Sequence, residues 1–383
     1  MTASRQPSVD SRTSGETERR VLRRDPHPHL FRPATFRSVT TRNRIMLSPM
    51  CQYSGEDGLA NDWHFVHLGA RAAGGAGIVF TEAVHVAPRG RITPWCLGLW
   101  NDAQRDQLAR IATFVEARGA VPAIQLGHAG RKASVGRPWE GTRPIAPEDG
   151  GWPVVSASDQ AYASGWPTPA AMSTAEIEEA LSSLAAATRR ARQAGFRIVE
   201  LHAAHGYLIH QFYSPLSNRR DDAYGGNFDK RIRFLMQSIE AVRSEWPDEL
   251  PLFLRLSVTD WVEGGWTLAD SIRLAHLLKA DGRVDLLDCS SGGNDPRQQI
   301  PIHPGYQVPF AARIREETGL PTGAVGLIHG ADLAESVVAN GQADLVILGR
   351  ALLADPVWPL RAAAALKAQD VEWPVQYERS NIF

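Results

Sequence analysis

The chain has 383 residues, of which 43% are apolar, and its formal charge of −1 comes from 41 Lys and Arg against 42 Asp and Glu. This balance gives no reason to expect a nucleic acid or an anionic membrane as partner. The three cysteines form no Cys-x-x-Cys pair, which argues against a disulfide framework or a thiolate zinc site and favours a reducing, cytoplasmic compartment.

The first 28 residues differ in composition from the rest of the chain. They are rich in Ser, Thr and Arg and lack the apolar stretch of a secretory signal. We expect residues 1–28 to form a disordered tail. No later run reaches the about 18 apolar residues that a transmembrane helix needs, so we expect no membrane span.

Short β-branched apolar runs alternate with longer helical patterns through the body of the chain. The eight predicted strands are 44–49, 77–83, 121–127, 197–203, 252–258, 284–291, 322–327 and 344–349. The predicted helices are 63–73, 103–118, 174–194, 228–246, 268–280, 309–318, 331–340 and 357–368. Ser173 or Thr174 would cap the third helix, with Glu176 in its first turn, and Asn227 would cap the fourth.

The strands read as near-continuous apolar runs, which is typical of parallel strands covered by helices. Eight strand–helix units over about 330 residues predict an α/β fold, a single closed (β/α)8 TIM barrel over 29–370. An open doubly wound sheet is the competing fold, but "GGAG" at 74–77 precedes its strand and lacks the Gly-x-Gly-x-x-Gly spacing. The stretch 127–173 is too long for an ordinary loop and would form a lid insertion after strand three.

In such a barrel the active site lies at the C-terminal ends of the strands. His202 and His205 follow strand four, and their spacing first raises the question of a metal. Zinc in a barrel hydrolase needs three or four ligands, whereas His210 falls beyond the loop and Glu200 is expected inside the barrel. A metal-dependent hydrolase and a pair of ordinary packed histidines both stay open at this point.

The ends of strands seven and eight suggest a different ligand. Gly326 and Gly349 end these strands, where this fold usually binds phosphate through backbone N–H groups. Arg350 adds a fork of donors suited to phosphate. The plain alternative is that both glycines only form turns.

Four longer motifs resemble those of one family. They are "SPMCQYS" at 48–54, "IQLGHAGRKA" at 124–133, "ELHAAHGYLIHQFYSPLSNRRDDAYGG" at 200–226 and "VILGRALLADP" at 346–356. These stretches resemble the old yellow enzymes, which are flavin-dependent ene-reductases, and most closely the thermophilic-like bacterial branch with Cys in place of Thr. The resemblance runs from about Leu30 to Arg379.

The resemblance implies non-covalent FMN across the barrel mouth. The implied FMN-binding residues are Ser48, Pro49, Met50, Cys51, Ala83, Gln125, Arg255, Gly326, Gly349 and Arg350. A cation such as Arg255 near N1 would stabilise the negative charge of reduced flavin. NADPH, or NADH, would reduce the same flavin and leave before the substrate binds, so ping-pong kinetics are expected and no Rossmann domain is needed.

The resemblance also implies how an activated C=C bond is reduced. His202 and His205 would donate hydrogen bonds to the carbonyl oxygen of an α,β-unsaturated substrate, and Tyr207 would protonate its α-carbon. Tyr53 would bind the same oxygen, Cys51 would tune the flavin potential, and Lys132 would lie at the rim of the site. Nitroester or nitroarene reduction is the alternative on this scaffold, whereas three scattered cysteines exclude the iron–sulfur dienoyl-CoA reductases. A barrel that only binds ligand or scaffolds partners is the non-enzyme alternative.

Two regions bear on partners and specificity. The C-terminal residues 371–383 resemble a tail that reaches a neighbouring subunit, so Arg379 would be shared across a homodimer or homotetramer. The lid is rich in aromatic residues and departs from compact relatives, which would change the preferred substrate shape. Its tryptophans are Trp139, Trp152 and Trp166.

Overall fold

The structure is a computed structural model that describes Met1 and residues 27–380. The predicted disordered tail at 1–28 therefore lies almost entirely outside the described residues. The predicted C-terminal tail is described as far as residue 380.

The strands of the described chain form one closed barrel and two small accessory sheets. In chain order they are β1 (Ala34–Phe36), β2 (Val39–Thr41), β3 (Ile45–Leu47), β4 (Ile78–His85), β5 (Val121–Gly127), β6 (Val155–Ser156), β7 (Ala170–Ala171), β8 (Ile198–Ala203), β9 (Leu252–Ser257), β10 (Leu286–Ser290), β11 (Thr322–Val325) and β12 (Leu345–Leu348). The barrel contains β3, β4, β5, β8, β9, β10, β11 and β12, each hydrogen-bonded in parallel to the next, and β12 closes onto β3. This confirms the predicted (β/α)8 TIM barrel.

Helices cover the outside of the barrel. They are α1 (Asp62–Ala73), α2 (Asp102–Ala117), α3 (Thr174–Gln193), α4 (Leu208–Tyr213), α5 (Phe228–Arg231), α6 (Arg233–Arg243), α7 (Leu268–Asp281), α8 (Val308–Thr318), α9 (Ala331–Ala339), α10 (Arg350–Ala354) and α11 (Trp358–Leu366). Within residues 27–380, none of the helices combines the length and apolar content that crossing a bilayer requires.

The predicted elements agree closely with the observed ones. Every predicted barrel strand starts and ends within two residues of the observed strand. The fourth predicted helix is divided into α5 and α6. The short helices α4 and α10 were not predicted, because six and five residues are too few to show a helical period.

Both predicted helix caps are confirmed at α3 and α5. Ser173 Oγ accepts a hydrogen bond from the backbone N–H of Glu176, whose carboxylate accepts one from the backbone N–H of Ser173 in return. This reciprocal pair is a capping box, so Ser173 rather than Thr174 is the cap. Asn227 Oδ1 accepts from the backbone N–H of Lys230 at 3.0 Å.

The barrel interior is apolar toward the N-terminal ends of the strands, so polar side chains that could take part in chemistry are confined to the C-terminal end. Phe80 and Phe253 fill this interior, and Phe36 from the β1–β2 hairpin packs edge-on against Phe253 at 5.1 Å between ring centroids. Burial of one such phenylalanine contributes about 2–3 kcal/mol. The hairpin thereby closes the N-terminal end of the barrel.

The insertion after β5 packs above the opposite, C-terminal end. It carries the small β6–β7 sheet, and its residues Val135 and Val154 join an apolar cluster with Ile92. Trp152 and Trp166 pack against this cluster, whereas the Trp139 side chain is largely exposed.

Candidate active site

A layer of polar side chains lies directly above the apolar part of the barrel interior. Residues two apart on a strand point to the same side, so Arg255 follows Phe253 into the barrel. Gln125 Nε2 donates to Glu200 Oε1 at 2.8 Å, and Arg255 Nη1 donates to Ser48 Oγ at 3.2 Å. Three residues predicted to bind the cofactor therefore lie in this layer, and Glu200 is inside the barrel as expected.

Asp288 belongs to the same layer, but the sequence reading missed it. Its Oδ2 lies 3.2 Å from Arg255 Nε, and the two residues are paired in the β9–β10 register. The sequence could have identified Asp288 from its position in the predicted strand 284–291, two residues before Ser290.

Burial raises the pKa of Asp288 to about 6 and that of Glu200 well above its ordinary value. Burial therefore favours the protonated form of Glu200, and the ion-pair partner of Arg255 is Asp288.

The remaining cofactor candidates surround this layer. Ala83 lies beside Gln125 in the β4–β5 register, and Ser48 N donates to Leu348 O at 3.0 Å. Pro49 is buried and Met50 half-buried. The space beside Gly349 is limited, since a Cβ atom there would lie 3.4 Å from Met50 Sδ.

His202, His205 and Tyr207 converge at the end of β8. The centroid of the His202 ring lies 5.2 Å from that of the His205 ring and 4.9 Å from that of the Tyr207 ring, and the His202 ring is nearly perpendicular to both. Burial lowers the pKa of each histidine well below its ordinary value, and nearby Arg255 lowers both further. Each imidazole is therefore neutral and has one N–H group to donate.

The loop that carries these side chains has an unusual backbone. His205 has φ +59°, and Gly206, at φ +72°, packs so closely that a Cβ atom would lie 2.2 Å from Gly293 O. The backbone N–H of Gly206 donates to His210 Nδ1 at 2.9 Å, and Gln211 Nε2 donates to Gly206 O at 2.7 Å. His210, considered above only as a metal ligand, therefore supports the loop.

Lys132 fixes the same loop from the insertion. Its Nζ donates to the carbonyl oxygens of His205 at 2.9 Å and Gly293 at 2.8 Å, and it lies 5.2 Å from the Tyr207 ring centroid. Burial, helped by Arg131, lowers the pKa of Lys132 to about 7. Burial raises the pKa of Tyr207 well above 10, so its phenol is protonated at neutral pH.

Cys51 and Tyr53 lie on the opposite side, where β3 ends. A side-chain hydrogen bond with Cys96, together with burial, raises the pKa of the Cys51 thiol. Cys96 is fully buried, and the sequence reading noted it only as one of three scattered cysteines. Tyr53 has φ +51°, its ring packs edge-on against Trp139 at 5.9 Å between ring centroids, and burial raises the pKa of its phenol.

Two cavities open at this end of the barrel. A cavity of about 150 Å³ is bounded by Tyr53, Lys132, Tyr207 and the insertion residue Trp166. A second, of about 170 Å³, is lined by residues that follow β11 and β12 and by two arginines. Its lining includes Arg255, Ser290, Tyr306, Gly326, Gly349 and Arg350.

Arg379, which belongs to the predicted site, does not line either cavity. Arg379 lies in a final 3-10 helix, Val375–Ser380, where it is exposed and forms no hydrogen bond or ion pair with the described residues of its own chain. Across residues 27–380, no group of three or more His, Cys, Asp or Glu side chains is arranged to hold a metal ion.

Comparison with known proteins finds the same architecture and closely related sequences. Residues 29–369 match the model of the NADH:flavin oxidoreductase / NADH oxidase family. The chain is 46% identical over 352 residues to an NADPH dehydrogenase of Geobacillus thermodenitrificans (strain NG80-2), an alignment that covers 91% of this chain and 98% of that relative. It is 43% identical to an NADPH dehydrogenase of Bacillus subtilis (strain 168), with the same coverage.

Solved structures extend the comparison to the fold. Morphinone reductase in complex with tetrahydroNAD has a TM-score of 0.71 at 26% identity, covering 90% of this chain and 93% of that one. A 2-naphthoyl-CoA reductase complex has a TM-score of 0.81 at 26% identity, but the match covers 90% of this chain and only 53% of that one.

Proposed function

The chain belongs to the NADH:flavin oxidoreductase / NADH oxidase family, as an old yellow enzyme homologue that uses FMN and a nicotinamide nucleotide, and we propose that it is an ene-reductase. It would use NADPH or NADH to reduce the activated C=C bond of α,β-unsaturated carbonyl compounds. The observation that carries this proposal is the convergence of two neutral imidazoles and a protonated phenol at the mouth of the barrel.

The second cavity fits the phosphate end of FMN. Gly326 has φ +130°, and a Cβ atom there would approach the Tyr306 ring to 3.2 Å, so a side chain would crowd the cavity. Arg350 lines the cavity and forms no ion pair with residues 27–380, which leaves its guanidinium available to an anion. We propose that Gly326, Gly349 and Arg350 hold the phosphate.

The polar layer of the barrel suits the other end of the cofactor. Arg255 is held by Ser48 and Asp288, and Gln125 is held by Glu200, so a guanidinium and an amide are fixed at the barrel mouth. We propose that these side chains, with Pro49, Met50, Cys51 and Ala83, contact the flavin ring. FMN bound there would supply the hydride that the substrate accepts.

The paired histidines would activate the substrate. Each can donate an N–H to the carbonyl oxygen, which withdraws electron density from the β-carbon and makes it a better hydride acceptor. Negative charge grows on that oxygen during the reaction, so bonds from His202 and His205 strengthen toward the transition state. Tyr53, on the facing wall of the smaller cavity, would give a further hydrogen bond to the same oxygen.

Tyr207 would complete the reduction by giving its phenolic proton to the α-carbon. The Lys132 ammonium, when charged, lies close enough to the Tyr207 ring to stabilise the phenolate that remains. Substrate and nucleotide would use the same pocket in turn, so we expect ping-pong kinetics.

The subunits of a homodimer or homotetramer would share Arg379. Arg379 is exposed and has no partner among residues 27–380. Both properties are expected of a side chain that binds in a neighbouring subunit. The insertion, through Trp166, would set the shape of the substrate cavity.

Nitro-compound reduction is the second candidate. The same two imidazole donors can bind the oxygens of a nitro group, and the smaller cavity does not distinguish the two substrate classes by charge.

The test begins with the visible spectrum of the purified protein. We expect flavin absorption that NADPH bleaches anaerobically and that cyclohexenone then restores, with formation of cyclohexanone. Restoration by a nitroarene but not by cyclohexenone would select the second candidate. A protein that stays colourless after incubation with FMN would contradict both.

A further inference from the structure

Ser290 contacts the Nε2 atom of His205. It ends β10, two residues after Asp288 and on the same side of the strand. Its Oγ lies 2.7 Å from His205 Nε2, and the serine is buried. Ser290 itself is not among the residues named above as catalytic, cofactor-binding or substrate-binding.

A neutral imidazole carries its proton on only one nitrogen, and the partner of the other nitrogen decides which one. His202 illustrates the rule, because the backbone N–H of Ala204 points at its Nδ1 at 3.3 Å. Since Nδ1 must accept this bond, the His202 proton lies on Nε2.

We propose that Ser290 is a positioning residue whose hydroxyl donates to His205 Nε2 and thereby holds the His205 proton on Nδ1, the nitrogen that would bind the substrate oxygen. This inference rests on the proposed function for its consequence, although the proton position itself is independent of activity. The two histidines would then donate from different nitrogens, Nε2 of His202 and Nδ1 of His205.

The surroundings of Ser290 favour this direction of the hydrogen bond. Among residues 27–380, the His205 imidazole is the only group in hydrogen-bond contact with Ser290 Oγ, so within the protein it is the one acceptor for the hydroxyl proton. His205 Nδ1 likewise has no partner among these residues. The His205 backbone is held at both ends, by Ser257 Oγ at its N–H and by Lys132 at its carbonyl, which fixes the position from which the ring projects.

The opposite tautomer would work against the chemistry. With the proton on Nε2, His205 would donate to Ser290 and turn the Nδ1 lone pair toward the substrate oxygen. That oxygen gains negative charge during reduction, so the lone pair would repel it. A hydroxyl that only filled space would leave both tautomers available.

Nitrogen-15 NMR of the FMN-loaded enzyme, labelled at histidine, reads the proton position directly. We expect His205 in the wild type to show a protonated Nδ1 and an unprotonated Nε2. In Ser290→Ala the signals should move toward the opposite tautomer or an exchanging mixture, and Ser290→Thr, which keeps a hydroxyl, should restore the wild-type pattern. A wild-type His205 with its proton on Nε2 overturns the inference, even if the variants do not fold.

Kinetics provide the second measurement. Ser290→Ala should slow reoxidation of the reduced enzyme by cyclohexenone by about tenfold or more, because one donor is lost from most molecules. In the His205→Asn background, where the amide N–H needs no tautomer, the same serine change should have little further effect. An equal loss in both backgrounds would show that Ser290 acts independently of His205 and would overturn the inference.

These measurements separate the inference from the proposed function. If the enzyme does not reduce cyclohexenone but His205 Nδ1 is protonated and Ser290→Ala displaces that proton, the proposed function fails and the positioning role of Ser290 stands. If cyclohexenone is reduced while the wild-type proton lies on Nε2, the positioning role fails and the function stands.

Discussion

His210 and Asp260 form a fully buried pair, with Nε2 of the imidazole 2.8 Å from Oδ1 of the carboxylate. Since His210 Nδ1 accepts from the Gly206 backbone, its Nε2 must donate to Asp260. The carboxylate also accepts from Ser214 Oγ at 2.6 Å and from the Trp266 backbone at 2.8 Å. The active-site loop is therefore anchored through one histidine to a carboxylate on the neighbouring β9 side of the barrel.

Replacement of His210 by Phe should destabilise the protein strongly. The aromatic ring can still stack on Tyr213, but the Asp260 charge and the Gly206 N–H lose a buried partner. Leaving a buried donor or acceptor without its partner costs about 1–3 kcal/mol, and more when the group is charged, as the Asp260 carboxylate is. Urea unfolding measures the change, and the exposed His276→Phe serves as a control that should stay within about 0.5 kcal/mol of wild type. A His210→Phe cost as small as that of the control would contradict the anchoring role.

Tyr207→Phe should separate the two half-reactions. Without its phenolic proton, alkene reduction should slow by about 100-fold or more, the usual contribution of general acid catalysis. Reduction of the flavin by NADPH requires no such proton and should change little. Anaerobic stopped-flow absorbance measures both steps, and a comparable loss in both would exclude Tyr207 as the acid.

His202 should make stability depend on pH on the acid side of neutrality. Burial lowers its folded pKa well below the unfolded value of about 6.5, so unfolding takes up a proton at lower pH. Its contribution is therefore complete above pH about 6.5 and falls by about 1.4 kcal/mol per unit as pH decreases below that value. His202→Asn should flatten the wild-type slope of unfolding free energy by that amount. An unchanged slope would mean that His202 is not held neutral.

Arg379→Ala tests whether subunits share a site. If Arg379 binds in a neighbouring subunit, its loss should raise the KM for cyclohexenone several-fold without changing the flavin content. Arg361→Ala, at an exposed position on α11, is a suitable arginine control. Light scattering should show a dimer or tetramer in each case, whereas a monomeric wild type with full activity would end the shared-site hypothesis.

Arg350→Ala should weaken FMN binding. Arg350 is proposed to bind the phosphate at the second cavity, and a charge-assisted bond of this kind contributes about 1.5–3 kcal/mol. The Kd for FMN, measured by fluorescence titration of the apoprotein, should therefore rise about 10- to 100-fold. Riboflavin, which has no phosphate, should bind the variant and the wild type about equally. A larger effect on riboflavin would place Arg350 elsewhere than at the phosphate.

Local patterns were sufficient to predict the barrel and the end of it at which the candidate site lies. Buried parallel strands show continuous apolar runs, and helix caps such as Ser173 depend on residues three positions apart, so both are visible in the sequence. The strand ends then identify one face of the barrel. His202, His205 and Tyr207 lie within six residues of one another, and their proximity needed no tertiary information.

The partners of these residues were decided only by the tertiary structure. Arg255 contacts Ser48 and Asp288, and His205 contacts Ser290, across 207, 33 and 85 positions of sequence. Such pairs depend on the stagger of neighbouring strands, since a shift of one residue would turn every side chain to the other face. Sequence patterns specify which residues face inward, but the strand register of the closed barrel decides which of them meet.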